Sequence, residues 1–563
     1  MQSTYEWLEP YNELHQTDWD SYSHLQESFD WEIPEVFNAA HYLCDRWGDD
    51  DERIAVLYED HTSGREGELT YLELKQITNQ LANYLEDQGV KPGDRIAINT
   101  PQKIETLISH LAIWKIGAIS VPLSVLYGPE ALDYRLSDSS ASVCIVDESN
   151  IDNHRDIVRE NHTIEQTLVV GDADLNSTES NFWSAIDGYS DEYELVKTDV
   201  MDTMTILYSS GTTGPPKGIV QPHRCVIGHL PSVITSYYDC TINSDDVIWT
   251  PSEWAWGASI SAMFAALFFG QSIVAYENGK GFDANEAFSV IEQYDVTISY
   301  FVPSALRMMM QIESPREQYD ISSVRVIPSG GESLGASVRT WADSIFDARI
   351  YELYGLSETF NFIIGDVPLI EPTPGWMGFS LPGHEIALLD PDTHEVLEGE
   401  AEGEIALADD DPTLFTEYLN KPEKTDNAFS NGWFLTGDIG RRNAEGRYQF
   451  LGRKDDLIIS AGYRIGPEEI EDTLLKYDVV ADAGVIGVPD EERGEIPKAF
   501  VVLKECADPG TSLKSDIKSY VKETLAAYEY PREIEFIDKL PRTTSDKVRR
   551  RTLSEWEEDN DRS

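Results

Sequence analysis

Residues 205–220 read TILYSSGTTGPPKGIV, a loop of serine, threonine and glycine between two apolar runs. Small and hydroxyl residues let backbone N–H groups approach phosphate oxygens, and Lys217 adds a point charge. The spacing is not that of a P-loop, because only Lys217 fits that pattern when it is counted from Gly211. We therefore predict a different kind of polyphosphate loop after a strand. An ordinary surface loop is the alternative, but it does not explain the flanking apolar runs.

Outward from this loop, short β-rich runs alternate with amphipathic helices. IAVLY (54–58) and RIAIN (95–99) have strand character, and Thr70 with Glu73 forms a capping box before a helix. This alternation predicts a layered α/β fold. Ligands bind at the carboxyl ends of strands in such folds. Three glycine-rich or hydroxyl-rich turns follow predicted strands, at 208–218, 329–333 and 354–359.

The pattern changes twice towards the C-terminus. After about residue 380, hairpin-like runs predict a small β-barrel-like part. After GRKDD (452–456), helices and strands of a small α+β domain are predicted. We therefore predict a large N-terminal α/β domain over residues 1–454 and a small, mobile α+β C-terminal domain over 455–563. The polar turn Lys454–Asp456 is the predicted hinge, because its backbone can rotate without disturbing a core.

Charge sets the protein apart from most globular chains. Across 563 residues, 102 acidic side chains outnumber 43 basic ones, which gives a net charge of -59. Such a surface repels nucleic acid and anionic membranes, so neither is an expected partner. Self-repulsion destabilises the compact state unless salt screens it. We infer a salt-adapted protein from a halophile's cytosol, with an acidic interaction protein as the weaker alternative.

Cysteine spacing, the N-terminus and the apolar runs indicate where in the cell the protein is located. The five cysteines have no C-x-x-C spacing, so neither a disulfide framework nor a zinc site is indicated. The N-terminus lacks a signal-peptide pattern. The apolar stretch from Leu107 to Tyr127 is interrupted by polar residues and predicts a buried helix followed by a strand. We expect a cytoplasmic protein without membrane insertion. The run Met308–Met310 is interpreted as helix core rather than a cofactor site.

Six motifs in order give a specific resemblance. They are YSSGTTGPPKG (208–218), SGGESL (329–334), YGLSET (354–359), WFLTGDIG (433–440), GRKDDLIISAGYRIGPEEIE (452–471) and PRTTSDKVRR (541–550). Together they resemble the adenylate-forming superfamily of acyl-CoA synthetases, carrier-protein adenylation domains and luciferases. The N-terminal FDWEIPEVFNAAHYLCDRWG (29–48) is most similar to the medium-chain acyl-CoA synthetase branch.

The resemblance implies a two-step reaction with ATP, Mg²⁺ and CoA. A carboxylate attacks the ATP α-phosphate to form an acyl-adenylate, and a thiol then displaces AMP; both steps concentrate negative charge. By resemblance, Glu358 is linked to magnesium and Asp438 binds the ribose hydroxyls with Arg453 beside it. The remaining implied ATP and AMP contacts are Ser209, Ser210, Gly211, Thr212, Thr213, Gly214, Lys217, Gly331, Glu332, Ser333, Tyr354 (adenine stacking) and Ser357 (α-phosphate).

The small domain is implied to serve both steps in turn. Lys547 resembles the adenylation lysine, whose ammonium bridges the substrate carboxylate and the α-phosphate. This chain has Asp546 where the family usually has glycine, and that charge could weaken ATP binding or slow adenylation. After adenylation, rotation about Asp455 is implied to bring in the loop with Gly462, Tyr463 and Arg464 for CoA.

The acyl pocket is assigned to the segment TPSEWAWGASI (250–260) by resemblance. Acetate-specific relatives close the pocket with a tryptophan at the position of Gly355. The other predicted pocket residues are Trp254, Trp256, Gly257, Ala258 and Gly330. Because each buried methylene contributes about 0.8 kcal/mol, a pocket with small walls should favour butyrate-sized to medium-chain, branched or aromatic acids. The alternative is that other side chains fill the space.

Several functions stay open at this point. Only 16 residues follow Lys547, which favours CoA over a fused carrier domain as the thiol acceptor. An acetate or propionate ligase, a carrier-protein adenylating enzyme and luciferase-like or aryl-CoA chemistry are alternatives. From another class, the protein could be an acidic scaffold that retains the fold. The oligomeric state does not follow from the sequence.

Overall fold

The computed structural model describes most of the chain. The described residues are 5–158, 163–209, 216–360, 362–460, 463–490, 493–504, 507, 509–525, 530–542 and 548–562.

Two large sheets form the bulk of the N-terminal region. In the described chain the first sheet has nine strands, parallel in the middle and antiparallel at both edges. In spatial order they are Phe379–Ser380, Phe362–Gly365, Arg349–Gly355, Val326–Gly330, Ile298–Ser299, Val247–Trp249, Ser272–Glu277, Ile54–Asp60 and Arg65–Thr70.

The second sheet contains the predicted phosphate loop. Among the described residues its eight strands are, in spatial order, Glu417–Tyr418, Gly218–Pro222, Thr203–Tyr208, Ile119–Pro122, Arg95–Asn99, Val143–Asp147, Gln166–Val170 and Glu179–Asn181. Thr203–Tyr208 and Gly218–Pro222 are antiparallel neighbours, with Tyr208 opposite Gly218. The loop therefore connects two paired strands at one end of this sheet.

Helices pack between and around the sheets. The α-helices of this region are Glu9–Gln16, Tyr22–Ser28, Ala39–Leu43, Tyr71–Asp87, Ile104–Lys115, Pro129–Ser139, Ile151–Val158, Phe182–Ile186, Arg224–Ser232, Gly257–Phe268, Ala284–Gln293, Pro303–Met309, Pro315–Gln318, Ala336–Ile345 and Pro422–Asn427. Short 3₁₀ turns at Glu6–Leu8, Asp45–Trp47 and Glu148–Asn150 and a π-helical turn at Val233–Tyr237 complete them.

The main core lies between the two sheets. Every residue of Ile104–Lys115 is buried, and its two buried charges are paired, Glu105 with Arg65 and Lys115 with Asp45. The strand Ile119–Pro122 follows it, as the sequence predicts. The capping box also forms: the Thr70 hydroxyl accepts from Glu73 N–H, and the Glu73 carboxylate accepts from Thr70 N–H.

The third sheet is open. Trp433–Arg442 pairs with Ala401–Ala408 on one side and with Phe429–Ser430 and Tyr448–Arg453 on the other, and Ile386–Leu389 forms an edge. No pairing among the described residues closes this sheet, so the predicted barrel-like character is not realised there.

A smaller α+β unit follows the turn at Lys454–Asp456. Its strands are, in spatial order, Tyr463–Ile465, Ile458–Ser460, Gly494–Leu503 and Val480–Asp490, with Glu533–Phe536 parallel to Gly494–Leu503. Its helices are Pro467–Leu475, Thr511–Thr524 and Arg550–Arg562. Its apolar residues form clusters separate from the main core. The layered α/β fold with a small α+β unit is confirmed, whereas the domain boundary at residue 454 and its mobility stay predictions.

The three methionines Met308–Met310 differ in burial. The helix Pro303–Met309 buries Met309, but Met308 and Met310 are 47% and 39% exposed. The interpretation of Met308–Met310 as core is therefore wrong for two of the three residues, because the helix ends at Met309 and presents only one of them to the core.

In the part of the chain that the structure describes, no helix combines the length and apolar character needed to cross a bilayer.

Candidate nucleotide-binding site

Ser209 and Lys217 flank the predicted phosphate loop. The Ser209 hydroxyl oxygen is buried and has no hydrogen-bond partner among the described residues. A buried hydroxyl of this kind is available to an incoming oxygen ligand. The predicted donors Ser210, Gly211, Thr212, Thr213 and Gly214 lie outside the described residues.

Lys217 and Glu358 lie side by side. Lys217 Nζ is 3.6 Å from Glu358 Oε1 and 4.2 Å from the ring centroid of Tyr418. The Tyr418 hydroxyl donates to Glu358 Oε1 over 2.8 Å. Two predicted site residues from distant motifs are thus brought together. Tyr418 is a functional candidate that the sequence analysis missed.

The backbone at Glu358 is held from two sides. The buried Gln221 side chain donates to the carbonyls of Ser357 and Glu358 over 3.0 and 3.1 Å. Phe415 N–H also donates to the Glu358 carbonyl over 2.9 Å. Gln221 lies in Gly218–Pro222, so the strand after the phosphate loop fixes the segment that contains Ser357 and Glu358.

Tyr354, Asp438 and Arg453 form a second cluster. The Tyr354 hydroxyl donates to Asp438 Oδ2 over 2.6 Å, and Arg453 Nη1 lies 2.7 Å from Asp438 Oδ1. Asp438 and Arg453 are directly opposite on paired strands. Gly437 precedes Asp438 with φ +73°, and a Cβ there would lie 3.2 Å from Arg453 Nη2. A buried carboxylate is thereby held between an aromatic ring and a cation.

Protonation in this second cluster follows from its contacts. Burial and the charge of Asp438 raise the pKa of Tyr354 well above its usual value, so its hydroxyl stays a donor. Asp438 raises the pKa of Arg453 against the effect of burial. The cluster therefore offers an aromatic ring, a carboxylate acceptor and a guanidinium donor at one place.

The turn after Val326–Gly330 contains three of the implied ATP and AMP contacts, Gly331, Glu332 and Ser333. Gly331 has φ +91°, which favours glycine. Glu332 pairs with Arg307 over 2.6 Å. Ser333 donates to Asp472 Oδ2 over 3.4 Å. Asp472 lies in Pro467–Leu475, so the small α+β unit contacts this turn directly.

The donor set suits a cation that is shared with phosphate. No cluster of three or more His, Cys, Asp or Glu side chains in the described residues could hold a metal by itself. Glu358 offers a carboxylate that is 12% exposed, next to the phosphate loop. Mg²⁺ commonly binds one or two protein carboxylates, waters and substrate phosphates, so the residues present fit it only together with a nucleotide.

The residues of the predicted acyl segment differ in burial. Trp254 is fully buried in the main core, whereas Trp256 is half-buried with its ring 6.2 Å from that of Tyr127. Gly257 begins the helix Gly257–Phe268, and Ala258 packs against the main core. Among the residues that the structure describes, a Cβ at Gly257 would have only Leu207 Cδ1 at 3.5 Å and the Phe360 carbonyl at 3.7 Å within 4 Å. A methyl group fits at Gly257.

Gly330 does not leave open space. A Cβ there would lie 2.6 Å from the Leu353 carbonyl oxygen and 2.7 Å from the Phe362 ring. The reasoning that Gly330 enlarges the pocket is therefore wrong, because a neighbouring strand and its phenylalanine already fill the position. Gly355 pairs with Phe362 in the same sheet. Whether Gly330 and Gly355 line the acyl pocket stays a prediction.

The predicted catalytic parts of the small unit are described only in part. Asp455 lies in the turn between Tyr448–Arg453 and Ile458–Ser460. Next to it, Lys454 Nζ contacts Glu404 Oε2 and the Pro391 carbonyl, each over 2.9 Å. Tyr463 and Arg464 belong to the strand Tyr463–Ile465. Gly462, Asp546 and Lys547 lie outside the described residues.

Comparison with known proteins agrees with this geometry. Residues 45–419 match the model of the AMP-binding enzyme family, and residues 469–547 match its C-terminal domain. Acetyl-coenzyme A synthetase of Bacillus subtilis (strain 168) is 34% identical over 92% of this chain and 90% of its own. The mitochondrial acyl-coenzyme A synthetase ACSM3 of Rattus norvegicus is 31% identical over 95% of this chain and 93% of its own.

A solved structure extends the likeness to the whole fold. The anthranilate CoA ligase AuaEII in complex with anthranoyl-AMP superposes with a TM-score of 0.85, at 27% identity over 93% of this chain and 98% of its own. The chain belongs to the AMP-binding enzyme family. The enzyme class predicted from the sequence, an AMP-forming acyl-CoA ligase, is thereby confirmed.

Proposed function

We propose that the protein activates a carboxylic acid with ATP as an acyl-adenylate, releases pyrophosphate, and transfers the acyl group to CoA. Tyr354 stacks on the adenine, and Asp438 accepts hydrogen bonds from the ribose hydroxyls beside Arg453. Lys217 and the loop after Ser209 bind the triphosphate. Charge that gathers on the phosphates is thereby neutralised by preplaced groups.

The observation that carries this proposal is the formation of two charge clusters by residues that are far apart in the sequence. Lys217 and Glu358 approach to 3.6 Å, and Tyr354 and Arg453 both contact Asp438. These residues come from four separate motifs of the sequence. An acidic scaffold would have no need for such convergence in a chain with so few basic residues.

Glu358 would hold Mg²⁺ against the phosphates. When bound, the cation would neutralise charge on the β- and γ-phosphate oxygens. The same carboxylate faces Lys217 in this structure, so the site balances its own charge before nucleotide arrives.

Lys547 serves the first half-reaction, and the hinge at Asp455 allows the second half-reaction to follow it. The lysine ammonium is assigned to the adenylation step, next to the α-phosphate and the substrate carboxylate. Rotation about Asp455 then replaces it with the segment Gly462 to Arg464, where CoA binds. Lys454, Asp455 and Asp456 form a polar turn, which suits such a rotation.

For the acid, we favour medium-chain, branched or aromatic substrates. The open position at Gly257 and the half-buried Trp256 support a pocket that takes more than a methyl group. A second candidate is acetate or propionate. It is favoured by the Phe362 ring beside Gly330 and by the name of the Bacillus subtilis relative. A salt-rich cytoplasm is the proposed setting.

A panel of acids tests this assignment. Acetate, propionate, butyrate, octanoate, isovalerate and benzoate are incubated with ATP, Mg²⁺ and CoA in high potassium chloride, and the thioesters are quantified by mass spectrometry. The proposal predicts the highest kcat/KM for butyrate or a larger acid. The highest value for acetate would favour the second candidate, and thioester formation only on a carrier protein would exclude both.

A further inference from the structure

Tyr418 contacts both charged residues of the phosphate site, although no sequence motif identified above includes it. Its hydroxyl donates to Glu358 Oε1 over 2.8 Å, and its ring centroid lies 4.2 Å from Lys217 Nζ. It reaches this place because Glu417–Tyr418 pairs antiparallel with Gly218–Pro222, directly after Lys217. A single side chain therefore connects the two charges.

We propose that Tyr418 is a positioning residue for nucleotide activation, which keeps Lys217 and Glu358 adjacent but short of a tight ion pair. This inference rests on the proposed function. Glu358 Oε1 accepts the Tyr418 hydroxyl, while Lys217 stays at 3.6 Å, beyond the usual range of a hydrogen bond. The ring meanwhile holds the ammonium by cation–π attraction.

The surroundings leave this task to Tyr418. Gln221 and the Phe415 N–H fix the backbone of Glu358, so the direction of the carboxylate depends on its side-chain contacts. The Phe415 ring packs 4.6 Å from that of Tyr418 and keeps it in place. Burial and the adjacent Glu358 raise the pKa of Tyr418 far above its usual value, so the hydroxyl remains a neutral donor.

The arrangement has a consequence for metal-dependent binding. Without the hydroxyl, Glu358 Oε1 becomes available to Lys217, and the ion pair can shorten. A tighter pair competes with a cation for the carboxylate, whereas the ring still keeps the ammonium in place for phosphate. The Tyr418 hydroxyl thus preserves the availability of Glu358, and its ring that of Lys217.

Two substitutions separate the roles of the hydroxyl and the ring. Tyr418→Phe removes the hydroxyl and keeps the ring. The Mg²⁺ concentration at which the enhancement of ATP binding by Mg²⁺ is half-maximal should rise about tenfold, while the affinity for metal-free ATP should stay within about twofold of the wild type. In Tyr418→Leu the ring is also lost, and affinity for metal-free ATP should fall about threefold or more. Isothermal titration of ATP without any acid measures both, because no turnover occurs.

Tyr294→Phe is the matched control. It removes a comparable hydroxyl, which donates to Glu59 Oε2 over 2.8 Å away from the site, and should leave the Mg²⁺ requirement unchanged. Thermal unfolding of every variant is recorded alongside.

The outcomes separate this inference from the proposed function. A wild-type protein that neither binds ATP nor exchanges pyrophosphate contradicts the proposed function itself. If the wild type is active and Tyr418→Phe keeps the wild-type Mg²⁺ requirement, the inference is wrong. It is equally wrong if Tyr418→Phe lowers only the unfolding temperature, as a purely structural residue would.

Discussion

The Tyr354 hydroxyl lies 2.6 Å from Asp438 Oδ2 and joins the aromatic and acidic sides of the nucleotide cluster. Asp438→Asn should keep this contact. It should lose the negative charge that strengthens the hydrogen bonds from the ribose hydroxyls and that pairs with Arg453. Since hydrogen bonds to charged groups contribute about 1.5–3 kcal/mol, KM for ATP should rise about 10- to 100-fold. Initial rates at varied ATP concentration measure this effect.

Glu59→Gln is the control for Asp438→Asn. Glu59 also accepts a tyrosine hydroxyl, that of Tyr294, but lies away from the nucleotide cluster. Its substitution should leave KM for ATP unchanged. An equal KM for ATP in the Asp438→Asn variant and the wild type would remove Asp438 from the ribose site.

Two of the three glycines assigned to the acyl pocket, Gly257 and Gly330, should behave differently. A methyl group at Gly257 meets no atom of the described residues closer than 3.5 Å, so Gly257→Ala should fold normally and reduce pocket volume. The KM for octanoate and benzoate should then rise about tenfold, with acetate little affected. Kinetics with these acids measure the change.

Gly330→Ala provides the contrast. The added Cβ would lie 2.6 Å from a backbone oxygen, and such overpacking costs about 1–3 kcal/mol of unfolding free energy. The unfolding temperature of this variant should therefore fall, and any change in its kinetics should be the same for every acid. An acid-selective effect of Gly330→Ala, or an acid-independent effect of Gly257→Ala, would reverse the assignment.

Asp472 links the small unit to the nucleotide side through Ser333. Burial raises the pKa of Asp472 from 3.8 to about 6. Because the folded protein then binds the proton more tightly than the unfolded chain, the contribution of Asp472 to the free energy of unfolding falls as pH rises from 3.8 to about 6 and is constant above that pH. Asp472→Asn cannot ionise, so it should escape this loss.

Thermal unfolding at several pH values checks this prediction. The unfolding temperature of Asp472→Asn minus that of the wild type should increase between pH 4 and about pH 6–7 and then level off. Ser333→Ala removes the hydroxyl but no titratable group, so its difference from the wild type should not follow this curve. A difference for Asp472→Asn that is independent of pH would contradict the assigned burial.

The net charge of -59 predicts a dependence on salt. The Debye length falls from about 10 Å at 0.1 M to about 3 Å at 1 M, so added potassium chloride should weaken the repulsion between acidic side chains. The unfolding temperature should rise over this range. An unchanged or falling unfolding temperature would contradict adaptation to salt.

Local patterns predicted those parts of the structure that local forces determine. The run RIAIN forms a strand at Arg95–Asn99 because β-branched residues alternate within it. The Thr70 and Glu73 capping box begins the helix Tyr71–Asp87 for an equally local reason. The family resemblance also implied Arg453 beside Asp438, and the two side chains are paired in the structure.

Contacts that depend on tertiary packing could not be read from the sequence. Tyr418 approaches Glu358 only because a two-residue strand pairs with Gly218–Pro222 from far along the chain. At Gly330 the sequence records a missing side chain but not the Phe362 ring that fills its place. A glycine in the sequence shows that a side chain is absent, but tertiary packing determines which neighbouring atoms fill that space.

The most direct test of the central claim is ATP–pyrophosphate exchange with and without a carboxylic acid, in high potassium chloride. We predict exchange that requires both the acid and Mg²⁺ and is abolished by Lys547→Ala, while that variant still forms thioester from supplied acyl-AMP and CoA. Absence of exchange with every acid tested, or equal loss of both half-reactions in Lys547→Ala, would contradict the account.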